Sequence, residues 1–268
     1  MVAGARYLEC CEPRAVGTCR SRRLSVDKLS KSTGRLLIVL AFLMIASACT
    51  KPMVVTAVQP DGSLEILGPG PHFARAFEDG WWIVSGDIGP GSLIVTEKSG
   101  QRALLIPPGD DEFTILRPVD AILLSSPFLS WSWLLEPGAS ENQDISVLVG
   151  FISPMGTVVA PSFDSLPEAA DETLANRALE IRWAASALMR GDLTIPTQED
   201  KDLPQYLVRG GRENTGRWWR ESIDLSYLYT RLWPGEDPAK ARIVFIAIHA
   251  GPDRVDTPAY IADMRLYR

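Results

Sequence analysis

Between Trp81 and Ile152 the chain is cut into short stretches of alternating polarity, which leaves little room for anything but β-structure. The stretches are Trp81 to Val84, Leu93 to Thr96, Ala103 to Ile106, Phe113 to Leu116, Phe128 to Leu135 and Ile145 to Ile152. Gly-Asp, Gly-Pro-Gly, Ser-Gly, Pro-Pro-Gly-Asp and Glu-Pro-Gly separate them. Strand-length runs about 8–12 residues apart, with turn residues between them, indicate a sandwich or barrel. Two runs define its core. In Phe128–Leu135 the side chains of Leu129, Trp131, Trp133 and Leu135 share one face by period-two alternation, with Ser130 and Ser132 opposite. In Ile145–Ile152 the residues Ile145, Val147, Val149 and Phe151 share a face, while Leu148 and Ile152 make the other face apolar too. Such a strand is central and covered on both sides.

The rest of the chain follows the same pattern with one interruption. Leu64–Leu67 reads as a short early strand, and strands resume at Tyr206–Val208, Ile243–Ile248 and Tyr260–Leu266. Residues 167–178 carry good helix formers, with Pro167 in the first turn and Ser165 as a cap, and are expected to be a helical insertion. Beyond it Leu179, Ile181 and Trp183 alternate with Glu180 and Arg182, which fits a strand. Trp218–Trp233 fits either a strand or a short helix.

Upstream, Leu36 to Cys49 is an uncharged apolar run too short to cross a bilayer as a helix and of the length of a signal-peptide hydrophobic segment. Lys28, Lys31 and Arg35 precede it, and Ala46-Ser47-Ala48-Cys49 closes it. That ending resembles the lipobox of bacterial lipoproteins, with Ala46 where leucine is commonest. The resemblance implies cleavage before Cys49, acylation of its thiol, and a membrane partner reached through that lipid. With Thr50 after the cysteine, the anchor is expected at the periplasmic face of an outer membrane. Residues 1–48 are then leader and signal peptide, residues 49–72 a tether, and residues 73–268 the folded domain. Residues Met1 to Ser25 are a poor lead for a signal peptide; a start nearer Val26 or Leu24 would account for them, and a long, disordered cytoplasmic leader is the alternative.

Of the 27 basic and 33 acidic side chains, eight and three precede Cys49, leaving a net charge of −11 from there on. Such a surface repels phosphate backbones, so nucleic acid is not an expected partner. All four cysteines lie at or before position 49, so the domain holds neither a disulfide nor a thiol nucleophile and relies on its core.

Raw material for chemistry is sparse. The two histidines are His72 in the tether and His249 at a strand end, and no GxSxG motif is present. Asp110, Asp111 and Glu112 follow a Pro-Pro-Gly turn, and loop oxygens of this kind suit calcium, the one cofactor with a candidate site. In the adjacent pairs Trp81-Trp82 and Trp218-Trp219 one ring must face away from the core if each pair lies in a strand; Trp82 and Trp218 are therefore the candidate ligand platforms.

Phe77–Trp81, Leu129–Trp133, Trp219, Leu232–Pro238, Ile243–Ile248 and Tyr260–Leu266 together resemble an uncharacterised exported bacterial family, domain of unknown function 3047. More loosely they resemble the galactose-binding-like jelly rolls of carbohydrate-binding modules. The turn Gly251–Thr257 keeps only Asp253, Asp256 and Thr257 of the family's acidic turn, and the insertion between Pro161 and Arg190 departs from the pattern. The resemblance implies an all-β jelly-roll sandwich. With so few catalytic groups, the expected function is non-catalytic binding of a glycan or another envelope component. A carbohydrate hydrolase with paired carboxylates and a protein-interaction module of an envelope assembly are the alternatives.

Overall fold

The computed structural model describes residues 56–68, 82–86, 88, 93–138, 144–154, 175–196, 203–252, 254 and 257–268, all within the compact unit Pro52–Arg268. The leader, Cys49, Trp81, residues 167–174 of the expected insertion, and the acidic residues Glu199, Asp200, Asp202, Asp253 and Asp256 lie outside this set.

The described residues form β1 (Thr56–Ala57), β2 (Leu64–Leu67), β3 (Ile83–Gly86), β4 (Ile94–Lys98), β5 (Gln101–Ile106), β6 (Phe113–Ile122) and β7 (Phe128–Leu135). They continue with β8 (Ile145–Ile152), β9 (Arg177–Ala184), β10 (Leu193–Thr194), β11 (Gln205–Gly210), β12 (Trp219–Asp224), α1 (Leu225–Leu232), β13 (Arg242–Ala250) and β14 (Ala259–Tyr267). Two sheets face each other. One has eight strands in the order β1-β6-β13-β8-β9-β11-β10, with β3 also on β6; the other has six, β12-β7-β14-β5-β4, with β2 also on β14. From β5 to β8, and again from β12 to β14, the chain changes sheet at every step, as a jelly roll does.

The inner faces meet in one core. Leu129, Trp131, Trp133 and Leu135 of β7 are all fully buried, as their alternation requires. Trp133 packs edge-on against Trp131 in its own strand and against Trp183 of β9 in the other sheet, at centroid separations of 5.4 and 5.3 Å. Strand β8 lies between β13 and β9 and is buried on both faces. The ambiguous Trp218–Trp233 stretch resolves into β12 followed by α1, where Asp224 ends the strand and caps the helix by accepting a 3.0 Å hydrogen bond from the Tyr227 backbone N–H. The expected helix does not reach residue 178: Arg177 and Ala178 already belong to β9, whose inward Leu179, Ile181 and Trp183 favour the extended form.

Two polar networks, one buried and one partly buried, hold the ends of the sandwich. Arg209 of β11 donates through Nη2 to Glu221 of β12 at 3.3 Å, and its Nε makes a second contact to the same carboxylate, bridging the two sheets. Glu221 also accepts from Trp133 Nε1. At the other end Arg177 and the Tyr229 hydroxyl both donate to Glu236, and Asn176 exchanges two hydrogen bonds with the Ser153 backbone, tying the strand end of β8 to the start of β9.

Candidate functional site

Side chains opposite the core form the outward face of the six-stranded sheet, and strand register sets them in rows. Arg220 of β12 stands beside Ser132 of β7, which stands beside Ala262 of β14. The next row is Ser222, Ser130, Arg265 and then Glu65 of β2. Flanking rows are aromatic at both ends: Phe128 beside Tyr267, their rings stacked at 5.4 Å, and Leu134 beside Tyr260. Small residues in the middle and long ones around them make a groove. Ser130, Ser132, Ala262 and Ala103 are buried beneath the long side chains.

A bulge in β14 shapes one wall. Ala262 pairs with Ser132 and Arg265 with Ser130, so Asp263 and Met264 together oppose Trp131. Asp263 takes up the extra residue with φ of 51°, a left-handed conformation that aspartate tolerates better than most side chains. Met264 can then stay in the core while Ala262, Asp263 and Arg265 all face outward. Asp263 accepts a 3.0 Å hydrogen bond from Gln101 Nε2 at the β4–β5 hairpin. Glu65, Leu67, Arg220, Asp263 and Arg265 line a hollow of about 300 Å³ here.

Beyond β12 lies a second hollow of about 360 Å³, lined by Arg190, Tyr206, Arg220, Glu221, Asp224 and Tyr227 among others. Arg220 borders both. The edge strand between them is stiffened from inside, because the Trp219 ring lies between the guanidinium groups of Arg209 and Arg217, 3.7 and 4.2 Å from its centroid.

The sequence-derived candidates fare differently. Trp218 does face outward while Trp219 turns inward; Trp218 is half-buried and its Nε1 donates to the Lys98 carbonyl at 3.2 Å. Beside it Lys98 pairs with Glu136 and lies 5.1 Å from the Tyr260 ring centroid, and the bond to Glu136 holds the ammonium pKa above its usual value. Trp82 does not serve as a platform: it is 4% exposed and sits in the core, 5.8 Å from the Arg117 guanidinium. Arg117 is itself buried and donates to the Ile66 carbonyl, and burial pushes its pKa down to about 10.

Asp110, Asp111 and Glu112 are exposed, and among the described residues no three His, Cys, Asp or Glu side chains converge as a metal would require. Burial pulls the Arg254 pKa down, while Asp111, Asp144 and Asp110 oppose that shift. His249 lies within β13, with Nδ1 3.0 Å from Thr114 Oγ1 and Ser146 as its partner on β8. The groove residues Glu65, Arg220, Asp263 and Arg265 escaped the sequence reading. Three strands far apart in the chain supply them, and only the polar positions of period-two alternation hinted at their outward direction.

No family model matches the chain, and no curated protein matches it. Solved structures do, at low similarity. A family 61 carbohydrate-binding module in complex with β-1,4-galactotriose aligns over 72% of this chain and 93% of its own, at 14% identity and a TM-score of 0.30. A family 11 carbohydrate-binding module from Clostridium thermocellum, in complex with a mixed-linked tetrasaccharide, covers 70% and 88% at 9% identity and 0.33. A thermostable cellulase derived from that of Rhodothermus marinus covers 75% and 97% at 11% identity and 0.41.

Proposed function

We propose that this chain is a non-catalytic, glycan-binding β-sandwich held at the bacterial cell envelope by lipid on Cys49. The observation that carries the reading is the groove on the outward face of the six-stranded sheet. A sugar presents flat apolar patches ringed by hydroxyl groups. The groove offers a floor of serine and alanine, aromatic edges at Tyr260, Tyr267 and Trp218, and hydrogen-bonding walls at Arg220, Arg265, Asp263 and Glu65. Neither Arg220 nor Arg265 nor Glu65 is hydrogen-bonded or ion-paired through its side chain among the described residues, so their polar atoms are available to a ligand.

The test is a glycan array followed by titration calorimetry on the best binder, with Arg220→Ala and Tyr260→Ala each expected to weaken binding about tenfold or more. A wild-type protein that retains no glycan sinks the reading. The anchor is tested separately: incorporation of an alkyne-labelled palmitate should be lost in Cys49→Ala, and the labelled protein should fractionate with outer membranes.

A hydrolytic reading has one observation in its favour, since Glu65 and Asp263 line the same hollow. Paired carboxyls across a cleft are what glycoside hydrolysis uses. Release of reducing ends from a polysaccharide panel, abolished in both Glu65→Gln and Asp263→Asn, would replace binding by catalysis; intact polysaccharide after long incubation would exclude it.

A further inference from the structure

The hollow on the far side of β12 carries the same formal charges as the groove it adjoins but commits them differently. Four charged groups, two of each sign, line it: Arg190, Arg220, Glu221 and Asp224. The two carboxylates are already used by the fold. Glu221 is buried and neutralised by Arg209, and Asp224 accepts from the Tyr227 backbone N–H at 3.0 Å and from Ser226 Oγ at 2.6 Å. The two guanidinium groups are not. Arg190 commits only Nε, to the Val208 carbonyl at 3.1 Å, and Arg220 makes no hydrogen bond or ion pair among the described residues. Both are exposed. With Glu221 neutralised by Arg209, two guanidinium groups remain against the single carboxylate of Asp224, and in a chain with an excess of acidic side chains this net positive hollow favours an anion.

We infer that the glycan is acidic, and that a uronate carboxylate docks between Arg190 and Arg220 while neighbouring sugars run over β12 into the groove. This rests on the groove reading and gives it a substrate class. The planar guanidinium fork matches a carboxylate in bidentate fashion, which an ammonium cannot do. Tyr206 and Tyr227 line the same hollow and supply ring surface and hydroxyl groups for the sugar that bears the acid. Because Arg220 borders both hollows, one chain of sugars can engage it from either side of the strand.

The experiment uses the lipid-free domain with oligogalacturonate and oligomannuronate, their methyl esters, neutral oligosaccharides and dextran sulfate, by titration calorimetry at two salt concentrations. The expected result is uronate binding that weakens with salt, falls tenfold or more in both Arg190→Gln and Arg220→Gln, and is only partly retained in Arg190→Lys. Arg212→Gln, an exposed arginine elsewhere, should leave it unchanged. Methyl esters that bind as well as the acids overturn the inference, as does preference for dextran sulfate over the uronates. A neutral glycan bound with Arg190→Gln silent also overturns it and leaves the groove reading standing. Absence of binding to every glycan defeats both.

Discussion

The two outward faces of this sandwich obey the same period-two rule and come out opposite. On the eight-stranded sheet the outward row Leu116, Ala247 and Leu148 is fully buried, joined by Phe245 and Ala175 and flanked by Leu203 and Val244. On the six-stranded sheet the corresponding positions are Ser130, Ser132 and Ala262, with charged side chains around them. A strand whose two faces are both apolar needs a cover, and one whose second face carries small or polar residues between long ones leaves a trough. The fold therefore covers one sheet with apolar side chains and rims the other with charge, and under the proposed function mutations on the two should differ in kind.

The sharpest test lies on the covered face. Phe245 is 1% exposed although it points away from the main core, and Phe245→Ala should cost about 3–5 kcal/mol in urea denaturation. A cost below about 1 kcal/mol would show that nothing of consequence packs on that face and would dissolve the contrast.

The next effect is a dependence on pH that belongs to the main core, where Tyr229 packs against Phe151. Burial raises the Tyr229 pKa, and the hydrogen bond to Glu236 raises it further, to about 12. Raised above its ordinary value of 10, the phenol contributes stability that is fully present below pH 10 and is lost as pH climbs toward 12, about 2–3 kcal/mol over the window. For Glu236 burial alone would raise the pKa, but hydrogen bonds from Ser153, Tyr229 and Arg177 outweigh it and hold it below its usual 4.5. Its contribution is present above pH 4.5 and disappears as pH falls through the lowered value. Tyr229→Phe should remove most of the alkaline loss; an unchanged pH–stability curve in that variant would place the dependence elsewhere.

Gly150 explains how the covered face closes. A Cβ there would lie 2.1 Å from the Phe245 ring, so the ring crosses β8 where no side chain stands. Gly150→Ala should cost about 1–3 kcal/mol through overpacking. In Phe245→Ala that penalty should vanish, and a double-mutant cycle that finds the two additive would disprove the contact.

This contrast was half legible in the sequence. The alternation of Leu129, Trp131, Trp133 and Leu135, and the two apolar faces of Ile145–Ile152, are local signals with one solution each, and both strands came out as read. The Trp218-Trp219 pair also obeyed parity, with Trp219 turned inward. Trp82 did not yield to the same argument, because alternation says that neighbours differ and not which of the two the core claims. The groove was invisible for another reason. Glu65, Arg220 and Asp263 are almost 200 residues apart at the extremes and meet only through the pairing of β2, β14, β7 and β12, and Asp263 faces outward only because of a bulge that no residue pattern announced.

The smallest effect belongs to the open face and is the most discriminating about its character. Ser130 Oγ is buried at the groove floor with no hydrogen-bond partner among the described residues. Removing an unsatisfied hydroxyl relieves a desolvation cost, so Ser130→Ala should leave stability unchanged or raise it by up to about 1 kcal/mol. A loss of more than about 1 kcal/mol would mean that the hydroxyl works within the fold. Ser130→Leu pushes outward the side chains that cover Ser130, on the face opposite Leu129 and Trp131. It should keep the cooperative unfolding of the parent while glycan binding falls tenfold or more. Binding that survives this substitution moves the recognition surface off the six-stranded sheet altogether. Two serine variants, one nearly silent and one lost only in binding, are then what distinguishes a face kept open for a ligand from one merely less tightly packed than its counterpart.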